Sequence, residues 1–368
     1  MFLSLILLFN FSSISFSPIQ KAEQFQEWIV RKAVGQMLIF GFEGKKEKDP
    51  GVQNAARHLR KAEIGGILLF GNNVSSKKQL ALLIQFLKKD SVYPFFISVD
   101  QEGGLIQRLS SKNGFKDFPP AEKVAQTMNI FKAFALYSEM AEILSDTGIN
   151  YNLAPSLDLK INPKNPIIAK FKRSFSQNPV KTLFYAAAFI KAHRENNVLT
   201  SIKHFPGHGS SKEDTHLNLT DISGQWQLKE LIPFQALISS DLADSIMVSH
   251  LMHRKIDPFH PVSLSKIFIG EIIRKYLKYD GVVITDDLEM GAIRKHFSLE
   301  EVVVKGISAG SNILLFYSLE KGKKDQSEEI KNLVLKNLKN GSLTLPMIYD
   351  SFQKILKLKE KIEKWKKK

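Results

Sequence analysis

No cysteine occurs in the 368 residues of this chain. That excludes disulfides, thiolate metal sites and a cysteine nucleophile, and it leaves the redox compartment open. No basic stretch is interleaved with aromatics and no DNA-reading motif is present, so the excess of 52 Lys and Arg over 37 Asp and Glu does not point to nucleic acid. Internal repeats are absent, and the only biased segment is the C-terminal end. Residues 353–368 hold eight lysines against Glu360 and Glu363, which concentrates +6 of the net +15 in that tail. The plain reading is a solvated basic helix; the functional one is weak association with an anionic surface. The one strongly apolar run, Met1-Phe-Leu-Ser-Leu-Ile-Leu-Leu-Phe-Asn-Phe, is too short to anchor in a bilayer. It has the apolar core of a signal peptide, with Ser13 and Ser15 near a cut, although no Lys or Arg precedes it. Export to the periplasm is favoured over the cytoplasm.

What is present is an ordinary globular composition, 43% hydrophobic and 24% charged, with ample length for a full core. Short, nearly continuous apolar runs recur at 36–42, 64–70, 95–100, 149–154, 200–204, 245–251, 281–286 and 312–316. Such runs fit parallel strands covered on both faces. Helical patterns lie between them, among them 76–89 and 130–147. In the latter Phe131, Ala135, Tyr137, Met140, Ile143 and Leu144 form the expected apolar stripe and Gly148 the C-cap. Eight strands alternating with helices predict an α/β fold of the (β/α)8 TIM-barrel type. The expected layout is an apolar N-terminal segment at 1–18, a catalytic barrel at 22–345, and a closing helix with the lysine-rich tail at 346–368.

Polar residues cluster where the predicted strands end. Asp100, His204, His250 and Asp286 all fall at C-terminal strand ends, the face on which barrel enzymes carry their sites. The densest stretch is Lys203-His-Phe-Pro-Gly-His-Gly-Ser-Ser-Lys-Glu-Asp-Thr-His216. Its Pro and Gly residues build a loop rich in titratable groups directly after a strand. In Thr285-Asp286-Asp287, adjacent carboxylates point to opposite sides. Asp286 is assigned to chemistry, as nucleophile, base or metal ligand, and Asp287 to the N-cap of a helix from Leu288. Asp100 can accept hydroxyl hydrogen bonds from a sugar, and Arg108 and Arg173 can donate to oxygens. His204 and His208 are four apart, but Pro206 and Gly207 between them make a helical metal-ligand pair a poor reading.

These blocks together resemble glycoside hydrolase family 3, in its single-barrel β-N-acetylglucosaminidase branch. The resemblance is carried by Lys-His-Phe-Pro-Gly-His-Gly at 203–209, Asp-Thr-His at 214–216, Asp-Gln-Glu-Gly-Gly at 100–104 and Thr-Asp-Asp-Leu-Glu-Met at 285–290, with weaker matches at 148–159, 173–175, 247–250 and 263–265. It implies a retaining exo-glycosidase acting on terminal β-N-acetylglucosamine of cell-wall fragments, muropeptides or chito-oligosaccharides, without cofactor or metal. Asp286 would be the nucleophile, and His216 paired with Asp214 the acid/base. Asp100, Arg108, Arg173, Lys203 and His204 would hold the sugar. The chain departs from the pattern at Leu105, Ser210 and Asn312, where the family usually has Arg, Asp and Asp; the last is expected to alter a helix cap or a contact behind the site. Phosphorolysis of the same bond, a metal-dependent barrel hydrolase and a non-catalytic sugar-binding barrel are the rival readings.

Overall fold

The computed structural model describes residues 18–91, 93–215, 218–321 and 324–366. The apolar segment read as a signal peptide lies outside them except for Pro18, as do His216 and the last two lysines.

Eight parallel strands close into a barrel: β1 (Leu38–Gly41), β2 (Gly66–Leu69), β3 (Phe96–Val99), β4 (Tyr151–Asn152), β5 (Leu199–Phe205), β6 (Ser245–Val248), β7 (Val282–Asp287) and β8 (Ile313–Phe316). Each pairs with the next in chain order, and β8 returns to β1 with Leu38 opposite Leu314. All eight predicted runs are strands. Each is shielded by helices outside and by packed side chains inside, so it reads as continuous apolarity rather than alternation. β4 is the shortest, two ladder residues within the six predicted; beyond it Pro155 has no N–H to give, and the chain follows β5 only through the Ala154 and Pro155 carbonyls, the Leu157 N–H and an isolated bridge at Ser156.

The helix Ile130–Thr147 has the predicted bounds, with Asn129 as N-cap and Gly148 as left-handed C-cap. Its buried face is Ala133, Tyr137, Met140, Ala141 and Leu144. Phe131, expected in that stripe, is 85% exposed, and Ala135 is exposed too. Both lie nearly a half-turn from the Ala133, Tyr137, Met140, Leu144 line that meets the barrel.

The C-terminal helix Leu345–Lys366 crosses the N-terminal mouth of the barrel. Ser351 Oγ accepts from Asn312 Nδ2 at 3.1 Å, Lys354 Nζ meets Asp280 at 2.5 Å, Lys359 Nζ meets Gln36 at 2.6 Å and Lys361 Nζ meets Asp244 at 3.5 Å. Residues 312, 280, 36 and 244 lie one or two positions before β8, β7, β1 and β6. Phe352, Ile355 and Ile362 bury their side chains in the same crossing. Asn312 therefore caps no helix: its Oδ1 accepts from Val283 N at 2.8 Å and Arg274 Nη2 at 2.7 Å, pinning the strand ends far from the C-terminal mouth. Among the described residues no helix is long and apolar enough to cross a membrane.

Candidate active site

Asp100 follows the last residue of β3, and Lys203 and His204 lie within β5, whose C-terminal end opens on the same mouth. Lys203 Nζ lies 2.7 Å from Asp100 Oδ1 and 2.7 Å from Glu102 Oε1. Arg108 Nη2 donates to the other Asp100 oxygen at 3.1 Å. Arg173 forks onto Glu102, Nε to Oε2 at 2.9 Å and Nη2 to Oε1 at 2.7 Å. Its Nη2 also reaches His204 Nε2 at 3.2 Å. The five predicted sugar-holding residues thus form one connected polar cluster, with Glu102 as its unpredicted hub.

The electrostatics follow from this pairing. Burial pushes Asp100 up, but Lys203 and Arg108 outweigh it and hold the carboxyl well below the usual range. Glu102 is likewise opposed by burial and brought down to about 2 by Arg173 and Lys203. Lys203 is raised, because the two carboxylates overcome the burial that would discharge it. Asp100, Glu102 and Lys203 are therefore charged near neutral pH and present fixed charges to a polar ligand.

Behind His204 stands Asp158, which sequence reasoning passed over. Asp158 Oδ2 is 2.6 Å from His204 Nδ1, and Oδ1 accepts the backbone N–H of His208 at 2.6 Å. Guanidinium is only a donor, so Nε2 of His204 accepts from Arg173 and the ring proton sits on Nδ1, facing Asp158. Glu102 and Asp158 both lie inside the blocks 100–104 and 148–159; the signal that finds them is an acidic residue one or two positions past a strand end or in a strand-end loop, within a motif already conspicuous.

The loop 206–215 is built by close approach and by one buried histidine. A Cβ on Gly209 would stand 1.7 Å from the Leu159 carbonyl oxygen, so only glycine fits there. His208 is 1% exposed and pushed down to about 4 by burial, so it is neutral. Its Nδ1 faces Ser211 Oγ at 2.9 Å and its Nε2 faces Thr215 Oγ1 at 3.1 Å. Asn165 Nδ2 donates to the His208 carbonyl at 2.9 Å and to that of Ser211 at 3.1 Å. The loop then passes beyond β6: the Thr215 carbonyl accepts from Ala292 N at 3.3 Å, in the helix Gly291–Arg294 that follows β7. Asp214 is half-buried on this loop. His216, the predicted acid/base, lies outside the described residues.

Asp286 is on β7, half-buried, with its Oδ1 accepting from Asp287 N at 2.9 Å. β7 is four strands from β3 in an eight-stranded ring, so Asp286 and Asp100 face each other across the mouth. Asp287 does not cap a helix at Leu288. Its Oδ1 takes the N–H of Glu289 at 2.9 Å and of Tyr317 at 3.0 Å, its carbonyl closes a turn to Met290, and the helix begins only at Gly291. Burial, with the neighbouring charges of Asp286 and Glu289, pushes its carboxyl up to about 7.

Of the residues the metal-dependent reading would use, His204, His208, His216, His250 and Asp286, the first two have both ring nitrogens engaged as above. His250 has Nδ1 at 2.8 Å from Ser263 Oγ and Nε2 at 2.8 Å from the Asp287 carbonyl. Among the described residues no three His, Asp or Glu side chains converge as ion ligands.

Residues 13–358 match the family model described as "Glycosyl hydrolase family 3 N terminal domain". The chain belongs to glycosyl hydrolase family 3. It is 32% identical over 264 residues to a beta-hexosaminidase of Tolumonas auensis, covering 70% of this chain and 76% of that one. It is 28% identical to beta-hexosaminidase A of Pseudoalteromonas piscicida over 89% of this chain, and spans 60% of that relative's length. Among solved structures, a family 3 beta-N-acetylglucosaminidase from Paenibacillus sp. superposes with a TM-score of 0.81 at 29% identity, over 90% of this chain and 62% of that one. A beta-N-acetylhexosaminidase from Beutenbergia cavernae superposes at 0.80 with 25% identity, over 90% and 98% of the two chains.

Proposed function

We propose that this family 3 protein is a retaining exo-β-N-acetylglucosaminidase. The observation that carries the reading is a loop that links the sugar-holding cluster to the nucleophile's strand: it leaves β5 beside that cluster and is tied at Thr215 to the segment just beyond Asp286. That arrangement supports a two-part mechanism. Asp100, Arg108, Lys203 and the Arg173–His204 pair hold the hydroxyl and acetamido groups of a terminal sugar. The Asp286 carboxylate attacks the anomeric carbon on the face opposite the leaving group and forms a glycosyl ester, while His216, oriented by Asp214, protonates the departing oxygen. The imidazole then takes a proton from water, which cleaves the ester with a second inversion. Histidine titrates near neutrality, so one ring serves both steps. The names of the relatives support N-acetylhexosamine as the glycon. Cell-wall fragments and chito-oligosaccharides both present that end group.

The test is turnover of an aryl β-N-acetylglucosaminide. Asp286→Ala is expected to lose activity by at least about a thousandfold. His216→Ala is expected to slow substrates with poor leaving groups more than activated ones. Substantial turnover by the Asp286 variant, or equal losses across leaving groups in the His216 variant, sinks the corresponding role. Appearance of sugar 1-phosphate in phosphate buffer would replace hydrolysis by phosphorolysis.

A further inference from the structure

Tyr317 directly follows β8 and is 48% exposed. A lone exposed tyrosine is ordinary on a protein surface. This one is held as few surface residues are. Three successive backbone N–H groups are clamped: Tyr317 N to Asp287 Oδ1 at 3.0 Å, Ser318 N to Glu289 Oε2 at 3.0 Å, and Leu319 N to the Gly41 carbonyl at 2.9 Å. Its ring packs on Phe70, at the end of β2, with centroids 4.8 Å apart and planes tilted by 45°. A side chain at position 41, the end of β1 beneath the pair, would strike the Tyr317 carbonyl oxygen at 2.0 Å and the Phe70 ring at 2.5 Å. The Arg108 guanidinium, which grips Asp100, lies 6.0 Å from the centre of the Phe70 ring.

The position is as specific as the clamp. β8, β1 and β2 lie between β7, which carries Asp286, and β3, which leads to Asp100. The aromatic pair therefore walls the mouth on one of the two arcs between β7 and β3, the arc opposite the one that carries Lys203 and His204 on β5. The sugar-holding cluster is polar and deep: Lys203 is 2% exposed and Arg173 7%. Tyr317 is the half-exposed apolar surface on the β8–β1–β2 arc, so it meets what projects outward from the bound sugar.

We propose that Tyr317 is the platform for the leaving-group sugar, stacking against the apolar C–H face of the ring on the far side of the scissile bond. The proposal rests on the glycosidase reading above. An aromatic ring offers a large, stiff contact area at low entropic cost, and the clamp supplies its orientation in advance.

The experiment compares two substrates. Chitobiose leaves with a sugar ring, whereas β-N-acetylglucosaminyl fluoride leaves with a single atom. In Tyr317→Ala the ratio of kcat/KM on chitobiose to kcat/KM on the fluoride is expected to fall roughly tenfold, the scale of one pocket contact. Tyr317→Phe and Tyr317→Trp are expected to keep the wild-type ratio. An unchanged ratio in Tyr317→Ala, whether both activities persist or both fall together, overturns the platform. A wild-type protein inert on both substrates overturns the glycosidase reading and the platform with it.

Discussion

His204 points its Nδ1 at Asp158 Oδ2 from 2.6 Å, inside a pocket where the carboxylate is fully buried. Burial alone would raise that carboxyl, yet His204 and the His208 backbone hold it well below the ordinary range. Oδ1 takes the backbone N–H groups of His208 at 2.6 Å and His204 at 3.3 Å, while Oδ2 takes the His204 ring and the Ser156 hydroxyl; this division fixes the His204 proton on Nδ1 so that Nε2 can face Arg173.

Asp158→Asn breaks this division without changing shape. The amide has one oxygen; if it keeps the His208 N–H, its NH2 group faces a ring nitrogen that also carries hydrogen. The proton must then move to Nε2, against the Arg173 guanidinium. We expect kcat/KM on an aryl β-N-acetylglucosaminide to fall by roughly 10²-fold with the fold retained. Steady-state kinetics beside a far-ultraviolet circular dichroism melt checks this. Near-wild-type activity would show that the His204 tautomer does not matter.

How much of this was legible beforehand differs by residue. The eight strands were, because a strand buried on both faces leaves an unbroken apolar run that no partner can disguise. Asp100, Lys203, His204 and Asp286 were, because they end such runs. Asp158 and Glu102 were not assigned: each sits in a visible motif, but its partner is tens of residues away, at His204 for one and at Arg173 and Lys203 for the other. Asp287 was misassigned for the same reason, since its acceptor oxygen is taken by the distant Tyr317 N–H rather than by a helix at Leu288. Phe131 was placed inward because apolarity at helical spacing does not by itself select which stripe meets the barrel. The C-terminal helix was read as closing, but not where it crosses.

That crossing buries Lys359, whose side chain lies over the Phe96 ring at 4.9 Å and donates to Gln36. Burial lowers its amine from 10.5 to about 7. Between those values the unfolded chain holds a proton that the folded chain has released. Stability therefore rises with pH across that window and is lost as pH falls toward 7. Lys359→Met keeps the length and removes the charge. It is expected to flatten the rise between pH 7 and 10 and to stabilise the fold at pH 6 by about 1–3 kcal/mol. Thermal melts of both proteins from pH 6 to 10 measure it. A variant less stable than wild type at pH 6 would mean that the Gln36 bond outweighs the buried charge.

Glu230 carries the opposite sign at the other end of the molecule. It is fully buried beneath the 206–215 loop, where Trp226 Nε1 also donates to the Pro206 carbonyl at 3.1 Å. Oε1 accepts from Gln227 N at 3.1 Å, and Oε2 is buried without a hydrogen bond. Burial pushes its carboxyl from 4.5 up to about 8, with the Asp158 charge adding and the Gln227 N–H and Ser210 opposing. Here the folded chain keeps a proton that the unfolded chain has released. The stability from neutral Glu230 is complete below pH 4.5 and declines as pH rises to about 8. Glu230→Gln is neutral at every pH and is expected to remove that decline. The variant should match wild type near pH 5 and exceed it by about 1–3 kcal/mol at pH 9. Melts from pH 5 to 9 decide it, because parallel curves for the two proteins would mean that the carboxyl is already ionised in the folded state. The wild-type protein then has two opposed slopes, falling through Glu230 and rising through Lys359. Each variant should expose the slope of the other.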